Sequence, residues 1–276
     1  MIVGVLSGKG GTGKTTVSAS LALSLDACQY IDCDVEEPNG AIFLKPELTE
    51  SIPVMVSVPE VDALKCDGCG ICAKVCQFHA LAVIKKTVLP FVELCHHCGA
   101  CKVACPHGAI SEVPRTIGVI QKDKANQFVH GRLNIGEPLS IPVIRALKKE
   151  IRSDLSVVLD CPPGASCAVV QSIGGCHYCI LVTEPTPFGL HDLEIAVGLV
   201  KKMNIPFGIV INKATPGNRI IQQHCGEHGI PVLLETPFSR EIAEDYSRGI
   251  LPVRKSLEWQ MAFRELFTTI ESGLKR

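Results

Sequence analysis

A doubly wound α/β fold, with a mostly parallel sheet and one small inserted module, is what the sequence predicts from three observations. Apolar runs of strand length alternate with helix-length amphipathic stretches, the pattern of a sheet covered on both faces. A glycine-rich loop, Gly8-Lys9-Gly10-Gly11-Thr12-Gly13-Lys14-Thr15-Thr16, sits between the run Ile2 to Leu6 and the stretch Val17 to Leu25. From about Val61 the composition changes abruptly to closely spaced cysteines, as an insertion would produce.

Composition narrows the class. With 276 residues and 46% hydrophobic content, the chain has enough apolar material for one large core, or a core plus a small module. Its formal net charge of −1 provides no basic field for nucleic acid, and none is expected as a partner. A first strand starting at Ile2 leaves no room for a signal peptide, and no run of about 18 apolar residues suits a membrane span. A cytoplasmic protein is expected. Disulfides are disfavoured there, so the 15 cysteines call for another explanation.

The loop matches G-x-x-x-x-G-K-[ST] in its expected context of strand, loop and helix, which is the phosphate-loop pattern. Glycines at 8, 10, 11 and 13 let backbone N–H groups turn inward around a phosphate, and the following helix N-terminus adds partial positive charge. Lys14 is placed to reach the β- and γ-phosphates, and the Thr15 hydroxyl to ligate Mg²⁺.

Lys9 makes the motif G-K-G-G-x-G-K-T, which resembles the deviant Walker A loop of the MinD, ParA and nitrogenase-iron-protein ATPases. In that class the early lysine crosses a dimer interface to the partner's nucleotide. The resemblance therefore implies a homodimer on ATP binding, or a heterodimer with a similar ATPase. It covers nearly the whole chain and implies a P-loop NTPase sheet.

The elements follow in order. Ala27 to Asp34 reads as a second strand ending in acids, similar to the D-x-D-P switch I segment. The resemblance gives Asp34 a place near Mg²⁺ and the attacking water, although Val35, Glu36 and Glu37 intervene before Pro38. After the insert, Thr116 to Gln121 and Gln127 to Ile135 read as strands flanking a polar turn, and Ile141 to Ile151 as a helix. Ser156 to Asp160 is a buried strand. With Cys161-Pro162-Pro163-Gly164 it resembles Walker B and switch II, implying that Asp160 holds the Mg²⁺ water shell and that Gly164 senses the γ-phosphate through its N–H. Tyr178 to Thr183 is a strand, Leu190 to Met203 a helix, and Phe207 to Lys213 a strand carrying Asn212. Relatives use an asparagine there to bind adenine. Ile230 to Phe238 supplies a last strand and a base-covering loop that includes Pro237. The tail, Ser256 to Arg276, is amphipathic, but its glutamates dilute the positive charge that lipid attraction needs, so packing on the sheet is expected rather than membrane binding.

The insert carries two copies of C-x2-C-x2-C-x3-C, at Cys66, Cys69, Cys72, Cys76 and at Cys95, Cys98, Cys101, Cys105, about 29 residues apart. Paired C-x2-C motifs also suit structural zinc. The repeated run resembles a bacterial two-cluster ferredoxin, in which the fourth cysteine of each run ligates the other cluster. That resemblance implies Cys66, Cys69, Cys72 and Cys105 on one [4Fe–4S] cluster and Cys76, Cys95, Cys98 and Cys101 on the second. Pro106 is in place, whereas Gln77 stands where proline is usual. The expected division is an ATPase domain of residues 1–59 and 115–276, with a ferredoxin domain of residues 60–114. Among the other seven cysteines, Cys167 lies where the nitrogenase iron protein ligates its cluster, and Cys176 and Cys179 read as buried.

Together these readings imply an ATP-binding and ATP-hydrolysing iron–sulfur protein. Its ATP-dependent dimerisation gates electron transfer through two clusters to a redox partner. Two alternatives share the motifs: assembly or insertion of a metal cofactor into a client, and a positioning ATPase with redox-sensing clusters.

Overall fold

The computed structural model describes residues 1–274; Lys275 and Arg276, at the end of the amphipathic tail, lie outside the described residues. In chain order the elements are β1 (Ile2–Leu6), α1 (Lys14–Ser24), β2 (Cys28–Asp32), α2 (Gly40–Leu44), β3 (Leu48–Val61), α3 (Ile71–Val75), β4 (Leu81–Ile84), β5 (Thr87–Pro90), α4 (Ala100–Ala104), β6 (Ile110–Asp123) and β7 (Phe128–Leu133). They continue as α5 (Ile141–Lys148), β8 (Ser156–Asp160), α6 (Cys167–Ile173), β9 (Tyr178–Thr183), α7 (Pro187–Lys202), β10 (Phe207–Ala214), α8 (Ile220–Glu227), β11 (Val232–Pro237), α9 (Arg240–Ser247) and α10 (Leu257–Leu274).

Nine strands form one sheet in the order β11-β10-β9-β1-β8-β2-β7-β6-β3. The seven from β11 to β7 are parallel, while β6 and β3 run antiparallel at one edge. The parallel strands read as continuous apolar runs because helices cover both faces. On one face α5 to α8 bury Ile144, Leu147, Ile173, Leu193 and Ile221 against Ile31, Leu159 and Leu181. On the other, α1, α2 and α10 bury Leu21, Phe43, Phe263, Leu266, Phe267 and Ile270 against Val3, Val5 and Val158. The tail is therefore a core helix, and no helix among the described residues is long and apolar enough to cross a membrane. Phe263 is 3% exposed. Phe263→Ala is expected to cost about 3–5 kcal/mol, read as a lower urea midpoint.

Three elements differ from the sequence reading. The segment 48–61, which carries no strand expectation, is a strand. It pairs with β6 along its whole length, from Leu48 opposite Asp123 to Val61 opposite Ile110. The strand expected at Thr116 to Gln121 extends over Ile110–Asp123 because β3 satisfies its far half. The helix expected to start at Leu190 starts at Pro187, where Pro sits in the first turn and the Thr186 side chain accepts from the Gly189 N–H.

Strand β6 pairs with β7 only from Gly118 to Lys122. Beyond that point β3 and β6 leave the sheet as a two-stranded ribbon, and the register shifts between Val54 and Met55 at the departure, as a bulge would produce. Since Gly118 faces Leu133, the last residue of β7, the ribbon departs from the edge where the parallel strands end. At its far end residues 62–109 form a compact unit of α3, α4 and the β4–β5 hairpin around Cys72, Leu81, Val88 and Ile110.

Candidate functional site

The edge at the carboxyl ends of parallel strands is where such sheets bind ligands, and three of these strands deliver the expected groups there. β1 feeds the glycine loop. Gly11 and Gly13 have φ of +79° and +95°, values that side chains resist. A Cβ at Gly13 would overlap the Asn212 amide and one at Gly8 the backbone of Asp192, whereas Gly10 has open space around it. Helix α1 starts at Lys14, directly after Gly13, so Lys14 and Thr15 occupy its first turn, both 7% exposed. Thr12 is buried with its hydroxyl unpartnered, and Thr16 lines the adjoining cleft.

β2 and β8 deliver three acids. Asp32 is fully buried and accepts the N–H groups of Asp34, Asn39 and Gly40 at 3.1, 3.1 and 2.9 Å, which folds residues 34–40 back over the strand end. Asp34 lies 4.0 Å from the Lys14 ammonium. Burial pushes Asp34 up to about 6, against the pull of Lys14 and with the neighbouring acids adding to the rise. Asp160 is 1% exposed; burial raises it too, while Lys14 and Thr15 oppose the rise. One of its oxygens, Oδ1, has no partner. Asp34 and Asp160 beside one ammonium, with a buried Asp160 oxygen left open, fit a divalent cation.

Lys9 is salt-bridged within its own chain, to Glu184 Oε1 at 2.7 Å, and Lys213 reaches Glu184 Oε2 at 3.4 Å. Lys213 also donates to the Gly11 carbonyl at 2.9 Å. The Lys9 hydrogen bond, with Lys213 behind it, holds Glu184 below its usual range. Sequence reasoning missed Glu184 and Lys213; the available signal was their position at the carboxyl ends of β9 and β10.

Two expectations change. The Gly164 N–H, expected to face a γ-phosphate, donates to the Ser7 carbonyl at 2.9 Å, because the turn after β8 is stitched to the start of the glycine loop. Asn212, expected at the base, turns its amide inward: Nδ2 donates to the Thr12 carbonyl at 2.8 Å and Oδ1 accepts from Thr236 at 2.5 Å. It braces the loop. The cleft beside it holds about 390 Å³, within the roughly 300–1,000 Å³ of small-molecule sites, and Pro237, Phe238 and Tyr246 form its outer wall.

The eight cysteines of residues 62–109 are sorted into two cavities. Cys66, Cys69, Cys72 and Cys105 line one, and Cys76, Cys95, Cys98 and Cys101 the other, so each set takes the fourth cysteine of the opposite run. The repeat is conformational as well. Left-handed backbone recurs at the same offset, at Gly68 and His97, Gly70 and Gly99, His79 and Gly108. Equivalent N–H groups point at sulfur, Ala80 to Cys76 and Ala109 to Cys105, each at 3.3 Å. Sulfur donors in fours, with N–H groups aimed at three of them, Cys95 receiving that of His97 at 3.4 Å, fit iron–sulfur ligation. His96 instead stacks on Phe78 at 3.5 Å, and His130 is buried against Phe128 and Gln121.

The other cysteines are placed differently. Cys33, Cys161, Cys176, Cys179 and Cys225 are buried, while Cys167 is exposed at the start of α6. Burial pushes the thiols of Cys33, Cys161, Cys176 and Cys179 up, which keeps them protonated and inert.

Comparison with known proteins agrees with this architecture. The profile of the CobQ/CobB/MinD/ParA nucleotide binding domain matches residues 3–253. An uncharacterized protein of Methanocaldococcus jannaschii is 31% identical over 258 residues, 90% of each chain. A cytosolic Fe-S cluster assembly factor, the Nubp2 homolog of Drosophila simulans, is 26% identical over 223 residues, covering 76% of this chain and 67% of its own. Among solved structures, the septum site-determining protein MinD of Pyrococcus horikoshii, complexed with Mg-ADP, has a TM-score of 0.60 at 17% identity and covers 100% of this chain and 98% of its own. That likeness shows the fold.

Proposed function

Because the chain belongs to the CobQ/CobB/MinD/ParA nucleotide-binding family, we propose that it is an ATPase whose nucleotide state controls electron transfer through two [4Fe–4S] clusters to a partner protein. The observation that carries this reading is the shared edge. The glycine loop, the three acids and the ribbon leading to both cysteine sets all stand at the carboxyl ends of the same parallel strands.

In this reading residues 1–59 and 115–276 form the ATPase domain and residues 60–114 the ferredoxin domain. Loop N–H groups, Lys14 and Lys9 hold the phosphates, while Thr15, Asp34 and Asp160 serve Mg²⁺, which neutralises phosphate charge. Asp34 orients the attacking water. Lys9 must leave Glu184 to reach a partner's nucleotide, so dimerisation exchanges an internal ion pair for one between subunits. Pro237 and Phe238 cover the base, whereas Gly164 contributes only after its bond to Ser7 opens.

Switch I has a short path to the clusters. The Val35 carbonyl accepts from Leu133 N–H at 2.8 Å, and Asn134 N–H donates to Ile117 of β6 at 2.8 Å. Arg115 of β6 pairs with Glu137 at 2.5 and 2.9 Å, close to Cys95 and His97.

The iron–sulfur assembly relative favours a second reading, in which a cluster is cargo for a client. The crossed cysteine sets argue against it, since removing either cluster would unpin both runs. Cluster midpoint potentials, measured without nucleotide, with ADP and with an ATP analogue, separate the two. A coupling of about 1 kcal/mol shifts a one-electron potential by roughly 40 mV, since about 59 mV corresponds to a tenfold change. By reciprocity, ATP affinity should differ between oxidised and reduced protein. Fixed potentials together with ATP-driven loss of iron to an apo-acceptor would replace electron transfer by assembly.

A further inference from the structure

We propose that Tyr30 is a positioning residue for Asp160: its phenol holds one carboxylate oxygen and so leaves the other facing the cation side of the nucleotide site. The proposal rests on the assignment of Asp160 to Mg²⁺ made above.

Tyr30 lies in β2, 2% exposed, opposite Val158 on the neighbouring β8, two residues before Asp160 on the same face. Its hydroxyl is 2.9 Å from Asp160 Oδ2 and 3.4 Å from Ser18 Oγ. An ionised carboxylate only accepts, so the single phenol proton goes to Oδ2. The remaining oxygen, Oδ1, is buried without a partner, and Lys14, Thr15, Tyr30 and Ser18 are the nearby groups that favour the charged form of Asp160.

Packing does not require this hydroxyl. The ring stacks on Phe128 with centroids 5.7 Å apart and planes 12° from parallel, and a phenylalanine would stack equally well. Burying a hydroxyl costs free energy unless it is bonded, and here the bond is to the one acid that β8 delivers to the site. The phenol also meets the end of switch I. A Cβ at Gly40 would fall 2.5 Å from the ring and 2.6 Å from the hydroxyl, and the Gly40 N–H is held by Asp32. Tyr30 thus touches both the acid and the segment that closes over it.

The test is ADP binding by calorimetry on the full chain, with and without Mg²⁺, for Tyr30→Phe beside Asp160→Asn. Tyr30→Phe should reduce the Mg²⁺-dependent gain in ADP affinity about tenfold, the loss of one hydrogen bond to a charged group. The urea midpoint should fall, because Asp160 loses its donor, but metal-free ADP affinity should move little, which a merely structural role would not give. Gly40→Ala, which presses on the phenol from the other side, should give the same loss and covers the case in which Tyr30→Phe misfolds. A wild-type Mg²⁺ response in Tyr30→Phe, with that response lost in Asp160→Asn, would overturn the proposal and leave the Asp160 assignment standing. A wild-type response in Asp160→Asn overturns both.

Discussion

Protein isolated without oxygen is expected to carry about eight irons and eight sulfides per chain, the content of two cubane clusters, with a reducible EPR-active species. The expectation follows from the two cavities, each with four thiols drawn from both cysteine runs. The crossing makes it specific. Cys76→Ser should damage the cluster held mainly by Cys95, Cys98 and Cys101, although Cys76 belongs by sequence to the first run. Cys105→Ser should damage the cluster of Cys66, Cys69 and Cys72. Iron analysis and EPR on each variant decide it. Zinc in place of iron, or each serine affecting the cluster of its own run, would refute the assignment. Because the two sets share one small core around Cys72, Leu81, Val88 and Ile110, loss of one cluster should also lower the stability of the other.

The second large effect is at the phosphate loop. Lys14→Ala removes the ammonium from a buried site whose other charges are acids. Removing one partner of a buried charge pair costs about 2–5 kcal/mol, so ATP affinity should fall by at least about thirtyfold, with the carboxyl groups of Asp34 and Asp160 left uncompensated. Asp34→Ala should behave differently. It relieves crowding among the acids, so ATP should still bind, while turnover drops about 10²–10⁴-fold if Asp34 handles the proton of the attacking water. Equilibrium binding and phosphate release, measured on both variants, distinguish the roles. Unchanged turnover in both would remove Lys14 and Asp34 from the site.

Much of this site was legible because its chemistry follows local rules. A glycine loop between a buried strand and a helix fixes where phosphate-binding N–H groups must lie, and the acids at the ends of β2 and β8 then fall on the same edge. What was illegible depends on long-range pairing. Strand β3 carries Pro53 and Pro59 inside an otherwise apolar, alternating run, and the prolines, which argue against a strand, are tolerated because it is an edge strand, where missing donors matter little. Tyr30 looks like an ordinary core aromatic in sequence; its hydroxyl acquires meaning only when β8 lies beside β2. Asn212 shows the same dependence: its place at the end of β10 follows from the sequence, whereas its amide bonds to Thr12 and Thr236 depend on partners remote in sequence.

The ribbon has a mechanical consequence. Its root is pinned, since Asn134 bonds the carbonyls of Thr116 and Ile117, and Glu137 grips Arg115. Outward from there, five residue pairs, Ser57 opposite Pro114 through Val61 opposite Ile110, run with β7 no longer alongside. At roughly 3.3 Å per residue this is a cantilever about 16 Å long, loaded at its tip with the entire cysteine unit. A tilt of about 10° at the root would displace the tip by roughly 3 Å over that length. A small rotation at the root would therefore be geared up at the tip, and the reach of the two cysteine sets is set at the foot of the arm.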